Sequence, residues 1–105
     1  MRKYTGFGTP PHYERINLDV EAFFSADGGV VPRTVFYDKV CYPIPLILDR
    51  KAFTPEGINC KDPIEYTTMI GGSRKKLYYE PSTGIWFSVK FRPAQFYPLC
   101  APEGA

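Results

Sequence analysis

The side chains that carry most enzymatic and metal chemistry are sparse in this chain, which has one histidine, His12, and three cysteines, Cys41, Cys60 and Cys100. A nucleophile needs a base within hydrogen-bond reach, and the only histidine falls in a Gly- and Pro-rich opening segment. No nucleophile–base pair is expected from it. The cysteines are odd in number and stand far apart without a chelating pair, so the spacing points to reduced thiols rather than to a disulfide framework or a zinc knuckle. Asp19 and Glu21 project from one face of an alternating segment and resemble paired carboxylates. The solvent side of an amphipathic strand accounts for them better. No catalytic residue, metal site or cofactor is expected.

The other candidate chemistry is anion and base binding, carried by "MIGGSRKKLYYE" at residues 69–80. Gly71-Gly72 lacks the downstream Gly-Lys-Ser/Thr of a phosphate loop, and residues 73–80 read as strand, so no helix N-terminus is available to hold a phosphate. The glycine pair is a turn. Beyond it, Arg74, Lys75, Lys76, Lys90 and Arg92 face a single acid, Glu80, which makes this stretch basic in a chain whose formal net charge is only +2. Such asymmetry marks either an anion-facing surface or a solvated strand end.

Which of these side chains share a face depends on the register between residues 73–80 and 85–92. An odd pairing points Trp86 outward with Tyr78, Lys76, Ser88 and Lys90. An even pairing, as a four-residue loop from Pro81 to Gly84 would give, joins Tyr79 to Trp86 and buries the tryptophan. The alternation of Ile85, Phe87, Val89 and Phe91 with Trp86, Ser88, Lys90 and Arg92 favours the odd pairing. On that reading Arg74, Lys76, Tyr78, Trp86, Lys90 and Arg92 form a basic aromatic face.

The elements that would position these groups are strands. With 105 residues, 44% apolar, the chain suits one domain with its own core. Its 8 Tyr, 8 Phe, 11 Pro and 9 Gly favour pleated segments broken by turns. Residues 1–14 read as an extended N-terminal arm, 15–92 as a β domain, and 93–105 as a proline-rich C-terminal tail docked through Phe96 and Tyr97. Within the domain, Ile16, Leu18, Val20 and Ala22 alternate with polar residues, Asp27-Gly28-Gly29 turns the chain, and residues 30–37 return antiparallel. Asp38-Lys39 reverses it again into "VCYPIPLIL", where Pro43 and Pro45 exclude a central strand. Residues 49–62 show no clear period and read as a loop, with room for one helical turn. The hairpin at Gly71-Gly72 places Tyr66 opposite Leu77 and Ile64 opposite Tyr79. The fold class expected is all-β, a small antiparallel barrel or strongly bent sheet of five or six strands.

Tyr42, Pro43, Ile44, Leu48 and Asp49, then Gly71, Gly72, Tyr78, Tyr79, Trp86 and Phe87, resemble the pattern of a family of small uncharacterised bacterial β proteins common in Firmicutes. The resemblance spans residues 15–90 and rests on structural rather than catalytic motifs, so it implies a fold and no activity. Lys39 stands where the pattern has the glycine of an Asp-Gly turn, and the turn after Glu80 is longer.

These features lead to a binding or protein-interaction module without catalytic activity, whose partner is another protein that adds a strand near Tyr42–Pro45 or grips the tail. The alternative is single-stranded nucleic acid held on the basic aromatic face, since bases stack on aromatic rings at about 1–3 kcal/mol each. The small net charge argues against it, because such affinity comes from several phosphate contacts. No apolar run approaches the roughly 18–20 residues that span a bilayer and the opening residues lack a signal peptide's apolar stretch, so a cytoplasmic location is expected.

Overall fold

Alternating apolar and polar residues bounded by Gly, Pro and Asp give strands joined by tight turns throughout the computed structural model, which describes the backbone of residues 7–97 and the side chains of residues 8–94. In chain order the strands are β1 (Phe7–Thr9), β2 (His12–Phe24), β3 (Val30–Tyr37), β4 (Val40–Pro43), β5 (Leu46–Ala52), β6 (Ile64–Ile70), β7 (Ser73–Glu80), β8 (Ile85–Arg92) and β9 (Gln95–Tyr97). Among the described residues there is no helix, and so none long and apolar enough to cross a membrane.

The protein is all-β, built on one strongly bent antiparallel sheet in the order β4-β3-β2-β8-β7-β6-β5, with β1 and β9 forming a separate two-stranded ribbon. The sheet holds seven strands where five or six were expected. "VCYPIPLIL" is two strands, because Ile44-Pro45 interrupts the pairing, and the second of them continues through Asp49 to Ala52, into the stretch expected to be loop. The expected arm and tail also contain strand: residues 7–9 pair with 95–97, and His12, expected in the arm, opens β2. Residues 1–6 of the arm and 98–105 of the tail, with Cys100, lie outside the described residues.

A corner strand, β2, produces the bend. The first part of β2, His12–Leu18, pairs with β8, and the second part, Asp19–Phe24, pairs with β3. A bulge lies where Glu21 opposes Thr34 but Ala22 opposes Pro32, which accommodates a proline within a paired strand and frees the Arg33 carbonyl. That carbonyl accepts the Ile44 N–H at 2.8 Å and turns the chain from β4, one edge of the sheet, into β5, the other. A second bulge sits between Ile47 and Asp49. The curled sheet is fastened across its interior by the Tyr66 hydroxyl, which donates to the Val30 carbonyl at 2.6 Å. The result is a half-barrel rather than a closed one. Its radius of gyration, 18.6 Å, exceeds the roughly 13 Å of a compact chain of about 100 residues.

The concave face carries the main core, with Val35 and Ile44 packed against Tyr66, Leu77, Tyr79 and Trp86. The convex face has a smaller core of Ile58, Tyr78 and Phe87 beneath the segment from Phe53 to Pro63. Glu80 pins that segment. Its carboxylate accepts the Lys61 N–H at 2.7 Å and the Arg15 guanidinium at 3.0 Å, while Arg15 also donates to the Asn59 carbonyl and covers the Phe87 ring. The Lys61 N–H first, then Arg15 and Thr83, hold the Glu80 carboxyl below its ordinary value of 4.5. A carboxylate lowered in this way contributes stability that is present above its unfolded value and lost as pH falls through the lower folded one. The Lys61 amide resonance is therefore expected to titrate with a midpoint below 4.5, and to lose that titration in Glu80→Gln. A midpoint at or above the ordinary value would count against the clamp.

The β3–β4 turn carries a local cost. Asp38 and Lys39 have φ of 52° and 65°, the left-handed region in which a Cβ is disfavoured. That region costs an L-residue about 1–2 kcal/mol, and the larger entropy of an unfolded glycine offsets about 0.4–1 kcal/mol of what its removal recovers. Lys39→Gly is accordingly expected to stabilise the fold by about 0.5–1 kcal/mol, read as a higher urea midpoint. A lower midpoint would show that the lysine side chain contributes more than its backbone costs.

Candidate ligand-binding trough

The β6–β7 hairpin has the expected register, with Tyr66 opposite Leu77 and Ile64 opposite Tyr79, closed by Gly71 and Gly72 at φ of 59° and 78°. The next ladder is different. Strands β7 and β8 pair only at Tyr78↔Phe87, Tyr79↔Trp86 and Glu80↔Ile85, after which Ser73–Leu77 stays with β6 and Ser88–Arg92 stays with β2. The sheet splits there, and the split opens into a trough of about 1020 Å³. Ile16, Leu18, Ile70 and Leu77 give it an apolar lining, and Tyr37 and Tyr42 reach it from the β3–β4 hairpin. Arg74, Lys75, Lys76 and Lys90 add positive charge, and among the described residues no carboxylate lines it.

The pairing of Tyr79 with Trp86 is the even register, which corrects the expectation of an odd one. Trp86 is 4% exposed, against the rings of Tyr79 and Tyr66 at 4.6 and 5.3 Å, so it is core rather than a platform. The six sequence-derived binding candidates therefore do not share one face. Trp86, Lys90 and Arg92 belong to the concave side, whereas Arg74, Lys76 and Tyr78 alternate onto the convex side. The split nevertheless brings Arg74, Lys76, Tyr78 and Lys90 to one trough and leaves out Trp86 and Arg92.

The charges differ in availability. Arg92 is committed, its Nε donating to Glu14 at 2.7 Å, and Glu14 also meets His12 at 3.3 Å. The Pro10 carbonyl, then Glu14, raise the His12 pKa above its ordinary value, so this end of β2 is a balanced set of charges. Lys76 reaches Glu65 at 3.5 Å. Arg74, Lys75 and Lys90 make no ion pair with a described residue.

Sequence reasoning left Lys75 out of the basic aromatic face, passed over Tyr37, and took Tyr42 only as part of an edge strand open to a partner. The signal for the tyrosines was their placement on either side of the Asp38-Lys39 turn, which sets them on the same face of a hairpin. Among the described residues, no group of three His, Cys, Asp or Glu side chains comes together. Cys41 is exposed, and Cys60 is partly covered and donates to the Ile58 carbonyl. Burial, and then the Glu80 charge, push the Cys60 thiol up, keeping it protonated and poorly nucleophilic. Comparisons with family models, curated proteins and solved structures returned no match to this chain.

Proposed function

We propose that this protein is a non-catalytic interaction module that binds another protein through the concave trough, and that it acts in the bacterial cytoplasm as a member of the small β-protein family it resembles. The observation that supports this reading is the trough itself, an apolar concavity with uncompensated cations held on paired strands. Paired strands fix such a surface in advance, so little ordering entropy opposes binding. The partner site moves from the Tyr42–Pro45 edge to the trough because β4 is only four residues long and ends in proline, which leaves few backbone groups for an added strand.

Nucleic acid remains the competing ligand, with Tyr37 and Tyr42 in place of Trp86 as stacking groups. The three unpaired cations provide few phosphate contacts for it.

The test is a photo-crosslinking residue placed at Ser88, in the trough, and separately at Ser82, on the opposite β7–β8 turn, in cells of the source organism. The reading expects a discrete polypeptide adduct from position 88 only, reproduced with the purified partner and lost in Lys75→Glu/Lys90→Glu. Adducts with oligonucleotide, or equal adducts at both positions, would refute it.

A further inference from the structure

We infer that the split between β7 and β8 receives an extended acidic segment of the partner, which adds as a strand to the free edge of β7. This rests on the interaction-module reading and specifies its ligand. A two-residue glycine turn makes Ile70 and Ser73 a hydrogen-bonded closing pair. Along β7 the N–H and C=O of Ser73, Lys75 and Leu77 then point to β6, and those of Arg74, Lys76 and Tyr78 point to β8. Tyr78 finds Phe87 there, but the ladder ends at that pair, so among the described residues the main chain of Arg74 and Lys76 has no strand partner on this side. Both residues line the open trough.

Unpaired backbone groups along a strand are a template for another strand, and proteins ordinarily blunt such edges. This one is left open within the sheet, whereas β5, the longer outer edge, carries a bulge. The chemistry of the guest is set by the charges around it. Arg74, Lys75 and Lys76 lie on the template and Lys90 faces them from β8, with no carboxylate of a described residue in the lining. A guest strand projects alternate side chains to opposite faces. It would meet Lys75 and Lys90 on the concave side and Arg74 and Lys76 on the convex side, so acidic side chains are favoured on both. Ile70 and Leu77 take an apolar side chain at the trough's base.

The experiment uses the full chain, amide hydrogen exchange by NMR, and a capped peptide of Glu-Glu-Val-Val repeats (the Glu-Val peptide), which presents Glu on both faces of a strand, compared with Lys-Val and Gln-Val peptides of the same pattern, a backbone N-methylated Glu-Val peptide and oligo-dT. In the free protein the Arg74 and Lys76 amides are expected to exchange fast and those of Lys75 and Leu77 slowly. The Glu-Val peptide is expected to raise protection at Arg74 and Lys76 by about an order of magnitude or more, less so at high salt. The Lys-Val and N-methylated peptides and Lys75→Glu/Lys90→Glu are expected to abolish the effect.

Slow exchange at Arg74 and Lys76 in the free protein would overturn the inference, as would protection by oligo-dT alone or no response to the acidic peptide. Peptide protection confined to β4, β5, or Val89 and Phe91 would overturn the β7 assignment and leave the interaction-module reading standing. Failure of the Ser88 crosslink to find a polypeptide would instead remove that reading.

Discussion

Trp86→Ala is expected to lower the unfolding free energy by about 3–5 kcal/mol, the usual cost of emptying a fully packed aromatic site. The ring is almost wholly enclosed, and Tyr79, Tyr66 and Leu18 would border the cavity. Since small domains hold only about 5–15 kcal/mol in total, the variant would populate unfolded chain at ambient temperature. Urea denaturation followed by circular dichroism measures this, with Trp86→Phe as a control that keeps a ring in place and costs less. In the native protein the same burial predicts blue-shifted emission from this single tryptophan and little quenching by iodide. A loss below about 1 kcal/mol, typical of surface substitutions, would return Trp86 to the surface and restore the basic aromatic face.

The register of one hairpin was legible and that of the next was not, and their turns are the reason. Gly71-Gly72 is a two-residue loop whose geometry permits one pairing, and Tyr66 does stand opposite Leu77. Pro81–Gly84 is longer, with the Gly84 N–H closing on the Glu80 carbonyl at 2.8 Å, and because no residue in this stretch fixes the loop at four rather than three or five, the sequence leaves the parity to side-chain burial. Burial does not discriminate on β8 because Trp86 and Phe87, adjacent in sequence, are both buried, one on each face. The alternation of Ile85, Phe87, Val89 and Phe91 therefore described a convex face that the Phe53–Pro63 segment covers around Phe87 and Val89, not the main core. What covers it is decided by Arg15, Glu80 and the Lys61 amide, contacts between distant parts of the chain that leave no periodic trace. The candidate site was half legible for a similar reason. The cations that cluster after Gly72 are plain in the sequence, but Ser73–Leu77 continues the strand pattern of Tyr78–Glu80 although only the latter pairs with β8.

Tyr78→Phe is expected to cost about 1.5–3 kcal/mol, the range for a hydrogen bond to a charged group, and to change how stability depends on alkaline pH. Its hydroxyl donates to Glu65 at 2.8 Å, and Glu65 is 1% exposed, with Lys76 and Lys51 ammonium groups at 3.5 and 3.8 Å. Both lysines are about half exposed and retain water, whereas the carboxylate does not. Removing the phenol therefore leaves an enclosed acceptor short of a donor, which costs more than the hydrogen bond contributes net. Burial first, then the bond to Glu65 and its negative charge, raise the Tyr78 pKa well above its ordinary value of 10.0. The unfolded chain thus loses this proton at a lower pH than the folded one. The resulting stability is fully present below about 10 and declines as pH rises through and above that value. Urea midpoints measured from about pH 8 upward are expected to hold and then fall as the ordinary tyrosine value is passed, with a shallower fall in Tyr78→Phe. Parallel alkaline limbs in the two proteins would show that Tyr78 ionises in the folded state as readily as any exposed tyrosine, and that Glu65 is held by its lysines alone.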